Sequence, residues 1–543
     1  MWITRHIMNS DGLSYVDIAR NYAEGNFKDA FNTFWSPFYS WIIAIVFILF
    51  KPSTYMEFTY IHIINYTAFV LSLIGFNYFL KELIQYRERI IKENENTTII
   101  SHTLLILLSY SLFIWTSLKF VTLWIVSPDM ILAVFLYFCF GLLISINRRP
   151  QKSKFILLGI LLGIAYFVKP IILWLSIPFI VGALYASNDK KKFLTSAIFS
   201  FVLFIGIISP YVYLMSQEKN RLTFADSGKL MLLWEINHVT NTYMVHWQGG
   251  DGTYGKPIHP SRKLYSHPRI FEFGTPISGT YPAWYDPTYW YEGAKPKLTP
   301  DELVKPFIIH AFDYFAIYIV LQGILLISAI FLILKSTGDF YSNFKKQMFY
   351  LSPAIAALIL ITIMLPELRY MCVYLVVLWT AVFSCLVLPK YDENIRLSKS
   401  LPIMVSGLLI FITLFAKFYP SDFCYSENIK KILLGKPLLR HNTWIVYKEL
   451  QNMGLKEGDK VATIGHGFFA TWAHFGKNKI IAEIPNKDER FFWHSTEEKR
   501  QNIYAIFKFI GVKAIVAETV PKYADLAGWK KIDDTSYYVY FLN

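Results

Sequence analysis

Long apolar runs separated by short polar loops dominate the first 420 residues of the chain. A run must cover a hydrocarbon layer about 30 Å thick to cross a membrane as a helix. Two shorter runs, 155–168 and 171–187, flank Lys169-Pro170 and predict a pair of helices broken at one membrane face, although one kinked segment would give the same pattern. Runs long enough to cross occur at about 58–80, 101–126, 130–147, 194–216, 307–334, 347–366, 370–388 and 401–420.

The polar loops fall into two kinds, which predict the two sides of the membrane. Short basic loops, which the positive-inside rule assigns to the cytoplasm, occur at 81–92, 147–154, 189–192, 344–347 and 390–399. The other loops are very short or long and rich in Trp, Pro and Gly, and we expect them outside. The run Phe38–Phe50 has 13 residues and predicts a half-helix at the outer face, which leaves about ten spans.

The pattern changes again in the last 120 residues. A helical stretch at 441–453 and short apolar runs at 460–464, 479–484 and 513–518 alternate in a way that predicts a small parallel α/β domain, with the final run 536–542 as an edge strand. The expected units are a first outer loop with two interfacial helices (1–37), an N-terminal membrane module (38–216), an outer ordered coil (217–306), a C-terminal membrane module (307–420) and an outer α/β domain (421–543).

Composition supports a membrane protein. Of the 543 residues 54% are apolar and 17% are charged, whereas an ordinary soluble protein has about a quarter of its residues charged. The net charge of +14 follows from the basic cytoplasmic loops and gives no reason to expect nucleic-acid binding. The four cysteines are far apart and form no disulfide framework or CxxC metal site.

Charged residues at the membrane borders are the candidates for chemistry, because charges there are costly unless they are used. Asp11 and Asp129 could be helix caps or could share the work of a general base. Lys169 and Arg369 could reach lipid headgroups or bind a phosphate, Arg369 through a bidentate fork. Two carboxylates on one side could also hold a divalent cation. No DxD or His pair lies nearby, so a divalent cation is only an alternative here and no other cofactor is expected.

Two further segments carry an open question. Trp284, Tyr285 and Trp290 in the outer loop either stack on a sugar or anchor the loop at the membrane interface. Gly465–Ala470 follows an apparent strand and imitates a dinucleotide-binding turn. The expected outer location and the bulky Phe468-Phe469 argue against a nucleotide and favour recognition of a sugar or an acceptor.

The segment 11–42 resembles the first outer loop of the GT-C glycosyltransferases, in the branch of protein mannosyltransferases and aminoarabinose transferases. The matching residues are Asp11-Gly12-x-x-Tyr15, the turn Glu24-Gly25-Asn26-Phe27 and Trp35-Ser36-Pro37-x-Tyr39. The resemblance implies that Asp11 is the catalytic base and that Asp129 faces the same cavity. It also assigns Glu367-x-Arg369-Tyr370 to a motif near the donor phosphate. A first helix normally precedes this loop, so we expect that one is missing upstream.

The resemblance and the charges together predict a polytopic α-helical glycosyltransferase of the bacterial inner membrane, with its active site facing the periplasm or the cell exterior. The donor would be a polyprenyl-phosphate-linked sugar, held among membrane lipids, and the unknown acceptor a hydroxyl or amine of a glycan, lipid or protein. Alternatives are a lipid-glycan transporter or flippase, and an enzyme like an O-antigen polymerase or ligase.

Overall fold

Helices make up most of the protein. A computed structural model describes residues 2–91, 97–239, 247–274, 277–336, 340–365, 367–389, 395–415, 425–434 and 440–542. In chain order its helices are α1 (Ser10–Ala23), α2 (Phe27–Ala30), α3 (Pro37–Phe50), α4 (Glu57–Ile90), α5 (His102–Thr116), α6 (Asp129–Arg148), α7 (Lys152–Val168), α8 (Ile172–Ala186), α9 (Lys190–Glu218), α10 (Ser227–Met231), α11 (Pro282–Tyr285), α12 (Pro287–Trp290), α13 (Pro300–Lys335), α14 (Phe340–Lys345), α15 (Met348–Met364), α16 (Leu368–Ser384), α17 (Ile395–Phe415), α18 (Tyr425–Leu433), α19 (Asn442–Asn452), α20 (Asn486–Trp493) and α21 (Glu497–Phe509).

Within the described residues, four helical segments are long and apolar enough to cross a membrane: Glu57–Ile90, His102–Val121, Asp129–Arg148 and Lys190–Glu218. Further apolar helices, including α3, α8, α15 and α16, are shorter. The coarse prediction of a helical membrane protein is therefore confirmed, whereas the number of about ten spans stays a prediction. The end of the expected span 401–420 lies outside the described residues, since α17 is described only to Phe415.

Helix packing explains how distant apolar runs come together. Helix α4 packs along α6 and α7 along α9, while α5 packs against α16 and α17. Glycines allow some helices to approach closely. A Cβ on Gly159 of α7 would lie 2.5 Å from the Ser200 carbonyl oxygen of α9, and a Cβ on Gly182 of α8 would lie 2.2 Å from the Phe349 carbonyl oxygen of α15. The α9 face with Ile198 and Val202 is more than half exposed, as expected of a helix that faces lipid.

The predicted break at Lys169-Pro170 is confirmed. Helix α7 ends at Val168 and α8 begins at Ile172, so each of the two short runs forms its own helix. Pro170 has no N–H for a continuing helix, which explains the break.

One seven-stranded sheet includes the strands of the C-terminal domain, and it differs from the predicted parallel domain. Its strands lie in the order β2-β3-β6-β5-β7-β9-β8. The central strand β5 is parallel to β6 and β7, while the flanking pairs are antiparallel, so the sheet is mixed. The strands are β1 (Thr97–Ile99), β2 (Arg262–Ser266), β3 (Arg269–Glu272), β4 (Val387–Pro389), β5 (Lys460–Ile464), β6 (Lys479–Ile484), β7 (Ala514–Ala517), β8 (Lys530–Lys531) and β9 (Tyr538–Phe541), with β1 and β4 forming a separate pair.

Two expectations about this sheet were wrong. The final run is not an edge strand, because β8 pairs with the outer side of β9. The segment 217–306 is not only coil, because its hairpin β2-β3 adds to the sheet through Phe271 opposite Glu483. Both errors concern pairing between distant segments, which a local hydrophobic pattern does not reveal.

Two helices, α1 and α2, precede α3. Asp11 and Gly12 belong to the first turn of α1. Helix α2 ends at Ala30. The carboxamide oxygen of Asn32 accepts hydrogen bonds from the backbone N–H groups of Phe34 and Trp35 at 2.8 and 2.9 Å, and this local turn competes with a helix.

Candidate active site

Four charged side chains from four separate segments meet at one end of the helical bundle. Asp11 lies in the first turn of α1, Asp129 begins α6, Lys169 occupies the break between α7 and α8, and Arg369 lies in the first turn of α16. The Lys169 ammonium contacts the Asp129 carboxylate. Arg369 lies between the two acids, with its terminal nitrogen 3.3 Å from Asp11 Oδ2 and its Nε 3.9 Å from Asp129 Oδ2. The structure thus brings together all four predicted charged residues.

Burial distinguishes the two acids. The side chain of Asp129 is 3% exposed, whereas that of Asp11 is 25% exposed. A buried carboxylate needs close positive partners, and Asp129 has them in Lys169 and Arg369. Asp11 is the carboxylate that a second molecule can reach.

Aromatic rings surround the cations, and sequence reasoning gave them no role of their own. The Lys169 ammonium lies 3.4 Å from the centroid of the Tyr370 ring, and the Tyr370 hydroxyl accepts a hydrogen bond from Arg369 at 3.4 Å. Tyr15 is buried beside the acids; burial first, and then the charges of Asp129 and Asp11, raise the pKa of its hydroxyl far above the ordinary value. Both tyrosines belong to motifs that the sequence already showed, Asp11-Gly12-x-x-Tyr15 and Glu367-x-Arg369-Tyr370, and this membership was the signal that could have pointed to them.

The start of α1 is tied to the loop before α6. Asn9 accepts a hydrogen bond from the backbone N–H of Val126 at 2.8 Å and donates one to its carbonyl at 3.3 Å. Gly12 allows the close approach, because a Cβ at this position would lie 2.6 Å from the Val126 Cβ. These contacts hold Asp11 beside the N-terminal end of α6.

Trp284 brings the outer loop to the same place. Its indole N–H donates to Asp11 Oδ1 at 3.3 Å, and its carbonyl accepts hydrogen bonds from the Ser14 hydroxyl at 3.0 Å and the Trp35 indole at 3.1 Å. Its ring lies 4.8 Å from that of Phe468 in the C-terminal domain. The indole therefore orients one carboxylate oxygen of Asp11 while the ring closes one side of the site.

Tyr285 and Trp290 occupy different surroundings. They are 3% and 4% exposed. The Tyr285 hydroxyl contacts the Asp29 carbonyl and accepts a hydrogen bond from Asn21 at 3.0 Å, and the Trp290 indole donates to the Pro282 carbonyl at 3.2 Å. Of the three loop aromatics, Trp284 is the one that contacts the four-charge cluster, which consists of Asp11, Asp129, Lys169 and Arg369.

The four-charge cluster is better suited to bind an anion than a metal ion. Nε of Arg369 is buried and has no hydrogen-bond acceptor among the described residues, a state that costs free energy until an acceptor arrives. The guanidinium occupies the space between Asp11 and Asp129, where a divalent cation would have to bind. Within the described part of the chain, no group of three or more His, Cys, Asp or Glu side chains could hold a metal.

A second buried cluster joins α1 to the C-terminal domain. His474 Nδ1 lies 2.5 Å from Asp17 and its Nε2 lies 2.7 Å from Glu57, while Arg20 bonds both oxygens of Glu57 at 3.1 Å and the His474 carbonyl at 2.9 Å. The Thr280 N–H donates to Asp17 at 2.7 Å. Asp17 is thus an ion-pair partner of His474.

The charges in this cluster stabilise each other. Burial and Arg20 act to lower the pKa of His474, but Glu57 and Asp17 outweigh them and hold it above its ordinary value. Burial acts to raise the pKa of Asp17, but His474 and the Thr280 N–H hold it below its ordinary value. The carboxylates of Asp17 and Glu57 favour a protonated imidazole, and they do so against an Arg20 guanidinium nitrogen that lies 2.8 Å from His474 Nε2.

The chain is similar to crystal structures of ArnT from Cupriavidus metallidurans in the apo state and bound to undecaprenyl phosphate, each with 12% sequence identity and a TM-score of 0.40. The apo match covers 98% of this chain and 93% of that one, and the bound match covers 99% and 95%. No family model and no curated protein matches the chain.

Proposed function

We propose that the protein is a membrane glycosyltransferase that moves a sugar from a polyprenyl-phosphate donor to a hydroxyl or amine acceptor at the extracytoplasmic face, with inversion at the anomeric carbon. The observation that carries this proposal is the meeting of Asp11, Asp129, Lys169 and Arg369 at one border of the helical bundle. Two cations close to a partly exposed carboxylate supply both a phosphate site and a base.

The cations would hold the donor phosphate. A polyprenyl-phosphate sugar is a phosphodiester with one negative charge, and a second charge develops on its phosphate as the bond to the sugar breaks. Lys169 and Arg369 would stabilise that developing charge, and the free Nε–H of Arg369 supplies a donor for it. The position of both residues beside apolar helices suits a donor whose lipid chain stays in the membrane.

Asp11 would be the general base. The acceptor oxygen or nitrogen attacks the anomeric carbon, its proton passes to the Asp11 carboxylate, and the electron pair of the breaking bond leaves with the polyprenyl phosphate. Asp129 is buried and paired on both sides, so it positions the cations and is not accessible as a nucleophile. A single displacement of this kind inverts the anomeric centre.

The outer loop would limit hydrolysis. Trp284 lies against Asp11 and packs on Phe468, so that the loop and the C-terminal domain together close one side of the site. Excluding water from the base protects a donor that water could otherwise attack.

The basic loops at the other end of the bundle support the proposed orientation. Helix α6 begins at Asp129 and ends at Arg148, and α8 begins after Lys169 and ends shortly before Lys190. The basic loops therefore lie at the ends of these helices away from the cluster, as the positive-inside rule requires if the cluster faces outward.

The Asp11→Asn variant tests the proposal. It keeps the size of the side chain but replaces one acceptor oxygen with an NH2 group and removes the base, so transfer of labelled sugar from a polyprenyl-phosphate donor should fall about 100- to 10,000-fold. Asp29→Asn is the matched control, because Asp29 is exposed in the same outer segment.

Membrane insertion and the unfolding temperature should be the same in both variants. Full transfer activity in Asp11→Asn would contradict the assignment of the base. Movement of the lipid-linked sugar across the membrane with no transfer or hydrolysis would favour a transporter.

A further inference from the structure

A second cavity lies at the outer end of α9, separate from the four-charge cluster. It has a volume of about 450 Å³ and none of Asp11, Asp129, Lys169 or Arg369 lines it. Its walls come from the end of α9, from the segment around α10 and from the loop after α12. Four cationic side chains, Lys219, Arg221, Lys229 and Lys295, line it together with two carboxylates.

The carboxylates do not balance the cations. Asp226 is already paired with Arg221 at 2.5 Å and accepts a hydrogen bond from Thr33 at 3.0 Å. Glu292 lies 3.9 Å from Lys219, beyond hydrogen-bond distance, and 3.4 Å from His259.

Three ammonium groups are therefore poorly neutralised. Lys219 is 7% exposed, and among the described residues its one ion pair is the long contact to Glu292, while the buried Asp286 carboxylate interacts with it electrostatically. Lys229 and Lys295 form no ion pair with any part of the chain that the structure describes. Burial and the neighbouring Arg221 lower the pKa of Lys229 by more than the carboxylates of Asp226 and Glu292 raise it, so these carboxylates do not fully offset the cost of its charge.

The wall of the cavity is a fixed structure. Gly255 pairs with Ala294 as an antiparallel bridge, the Ile258 N–H donates to the Glu292 carbonyl at 2.9 Å, and the Lys295 N–H donates to the Tyr254 carbonyl at 2.9 Å. Gly293 has a φ of +94°, and a Cβ there would lie 2.0 Å from the Lys256 carbonyl oxygen. The backbone that carries Lys295 is thus held by hydrogen bonds and by a glycine that no other residue can replace without strain.

Apolar side chains beside the cavity place it at the membrane surface. Ile258 lines it and is 61% exposed, and Leu222 next to Arg221 is 74% exposed. Near the end of α9, Tyr213 is 61% exposed. Exposed apolar groups next to unbalanced cations are typical of a surface that meets lipid chains and anionic headgroups together.

We propose that this cavity binds the phosphate of a membrane-lipid headgroup through Lys219, Lys229 and Lys295. Phosphate oxygens accept charge-assisted hydrogen bonds from ammonium groups and would supply the negative charge that Asp226 and Glu292 do not. The proposal goes beyond the transferase activity and does not depend on it.

Native mass spectrometry of the full-length protein in detergent tests the proposal, with phosphatidic acid and phosphatidylcholine of the same acyl chains offered at equal concentration. The protein should retain phosphatidic acid preferentially. Lys229→Gln and Lys295→Gln should each weaken that retention about tenfold. Lys229→Arg keeps the positive charge and should retain phosphatidic acid as the wild-type protein does. Lys263→Gln is the matched control, because Lys263 is exposed in the same outer loop and does not line the cavity.

A titration with inorganic phosphate distinguishes the two sources of the anion. Competition by phosphate against retained phosphatidic acid supports a phosphate site that takes a lipid. Binding of inorganic phosphate that depends on Lys229, without retention of phosphatidic acid, overturns the lipid assignment. Equal retention of both lipids, or unchanged retention in the Gln variants, overturns the site itself. Asp11→Asn should bind phosphatidic acid normally, so failure of one proposal is distinguishable from failure of the other.

Discussion

At the scale of single residues, the surroundings of Asp11 and Asp129 explain why two identical carboxylates would have different roles in the proposed reaction. Asp11 and Asp129 both lie next to Arg369, but Asp129 is buried and is also in contact with Lys169. Arg369 can contact both acids and still present further N–H groups because its guanidinium is a planar fork with five donors. A lysine at this position could not make the same set of contacts.

The indole N–H of Trp284 provides a prediction at this scale. In Trp284→Phe the ring packing on Trp35 and Phe468 is largely kept while the hydrogen bond to Asp11 is lost. We expect kcat to fall about tenfold, in line with the loss of one hydrogen bond to a charged group.

The control for this prediction is Trp290→Phe. It loses a comparable indole bond, to the Pro282 carbonyl, away from Asp11. Its unfolding temperature should decrease with kcat nearly unchanged. Equal losses of kcat in the two variants would show that the Trp284 indole has no special part in orienting the base.

At the scale of elements, the close contact between α1 and the loop before α6 sets the position of Asp11. A methyl group at Gly12 would meet Val126, the Met8 sulfur at 2.8 Å and the Asn9 side chain at 2.9 Å. Gly12→Ala should therefore destabilise the protein by about 1 to 3 kcal/mol and also reduce transfer activity, because α1 must move away from α6. Thermal unfolding in detergent and the transfer assay measure the two effects.

Gly206→Ala is the matched control for this element. Gly206 lies within α9, and a Cβ there would have no neighbour within 4 Å. Alanine favours a helix over glycine by up to about 1 kcal/mol, so stability should stay the same or rise slightly. A loss in Gly206→Ala as large as that in Gly12→Ala would contradict the steric explanation.

The elements were largely predictable from the sequence because helices and single strands depend on local patterns. The strands Lys460–Ile464 and Lys479–Ile484 coincide with the predicted apolar runs, and the helix α19 lies within the predicted range. The hairpin β2-β3 was missed because its partner, β6, lies some two hundred residues further along the chain. Its short, mostly polar strands carry no strong alternation of their own.

The candidate site was predictable for a different reason. Asp129, Lys169 and Arg369 interrupt or begin apolar runs, and a charge in such a place stands out in the sequence. The pairing of Asp17 with His474 could not be predicted, because an acid in the middle of a polar helix and a histidine in an outer domain are individually ordinary. Only the three-dimensional structure shows that these residues meet.

At the scale of the whole molecule, the Asp17–His474–Glu57 contacts join the outer domain to the helical bundle and predict a pH dependence. The pKa of His474 is raised in the folded protein, so its contribution to stability is complete below about pH 6.5 and is lost as the pH rises through the raised value. The pKa of Asp17 is lowered, so its contribution is present above about pH 3.9 and is lost as the pH falls through the lowered value.

Thermal unfolding as a function of pH measures this effect. The wild-type protein should lose stability as the pH is raised through the pKa of His474, and His474→Gln should lack that part of the pH dependence. His494→Gln is the control, because His494 is exposed in the same domain. The same alkaline slope in wild type and His474→Gln would rule out His474 as its origin.

Helix α1 carries both Asp11 of the proposed site and Asp17, which binds the C-terminal domain. A movement of that domain can therefore affect the proposed site. Asp11 lies in the first turn of this 14-residue helix, and Asp17 binds His474 six positions later, about 9 Å along the helix axis. A helix this short moves as a rigid rod. A ligand that tilts the C-terminal domain would therefore transmit the tilt through Asp17 to the Asp11 carboxylate on the same helix and change its alignment with Arg369.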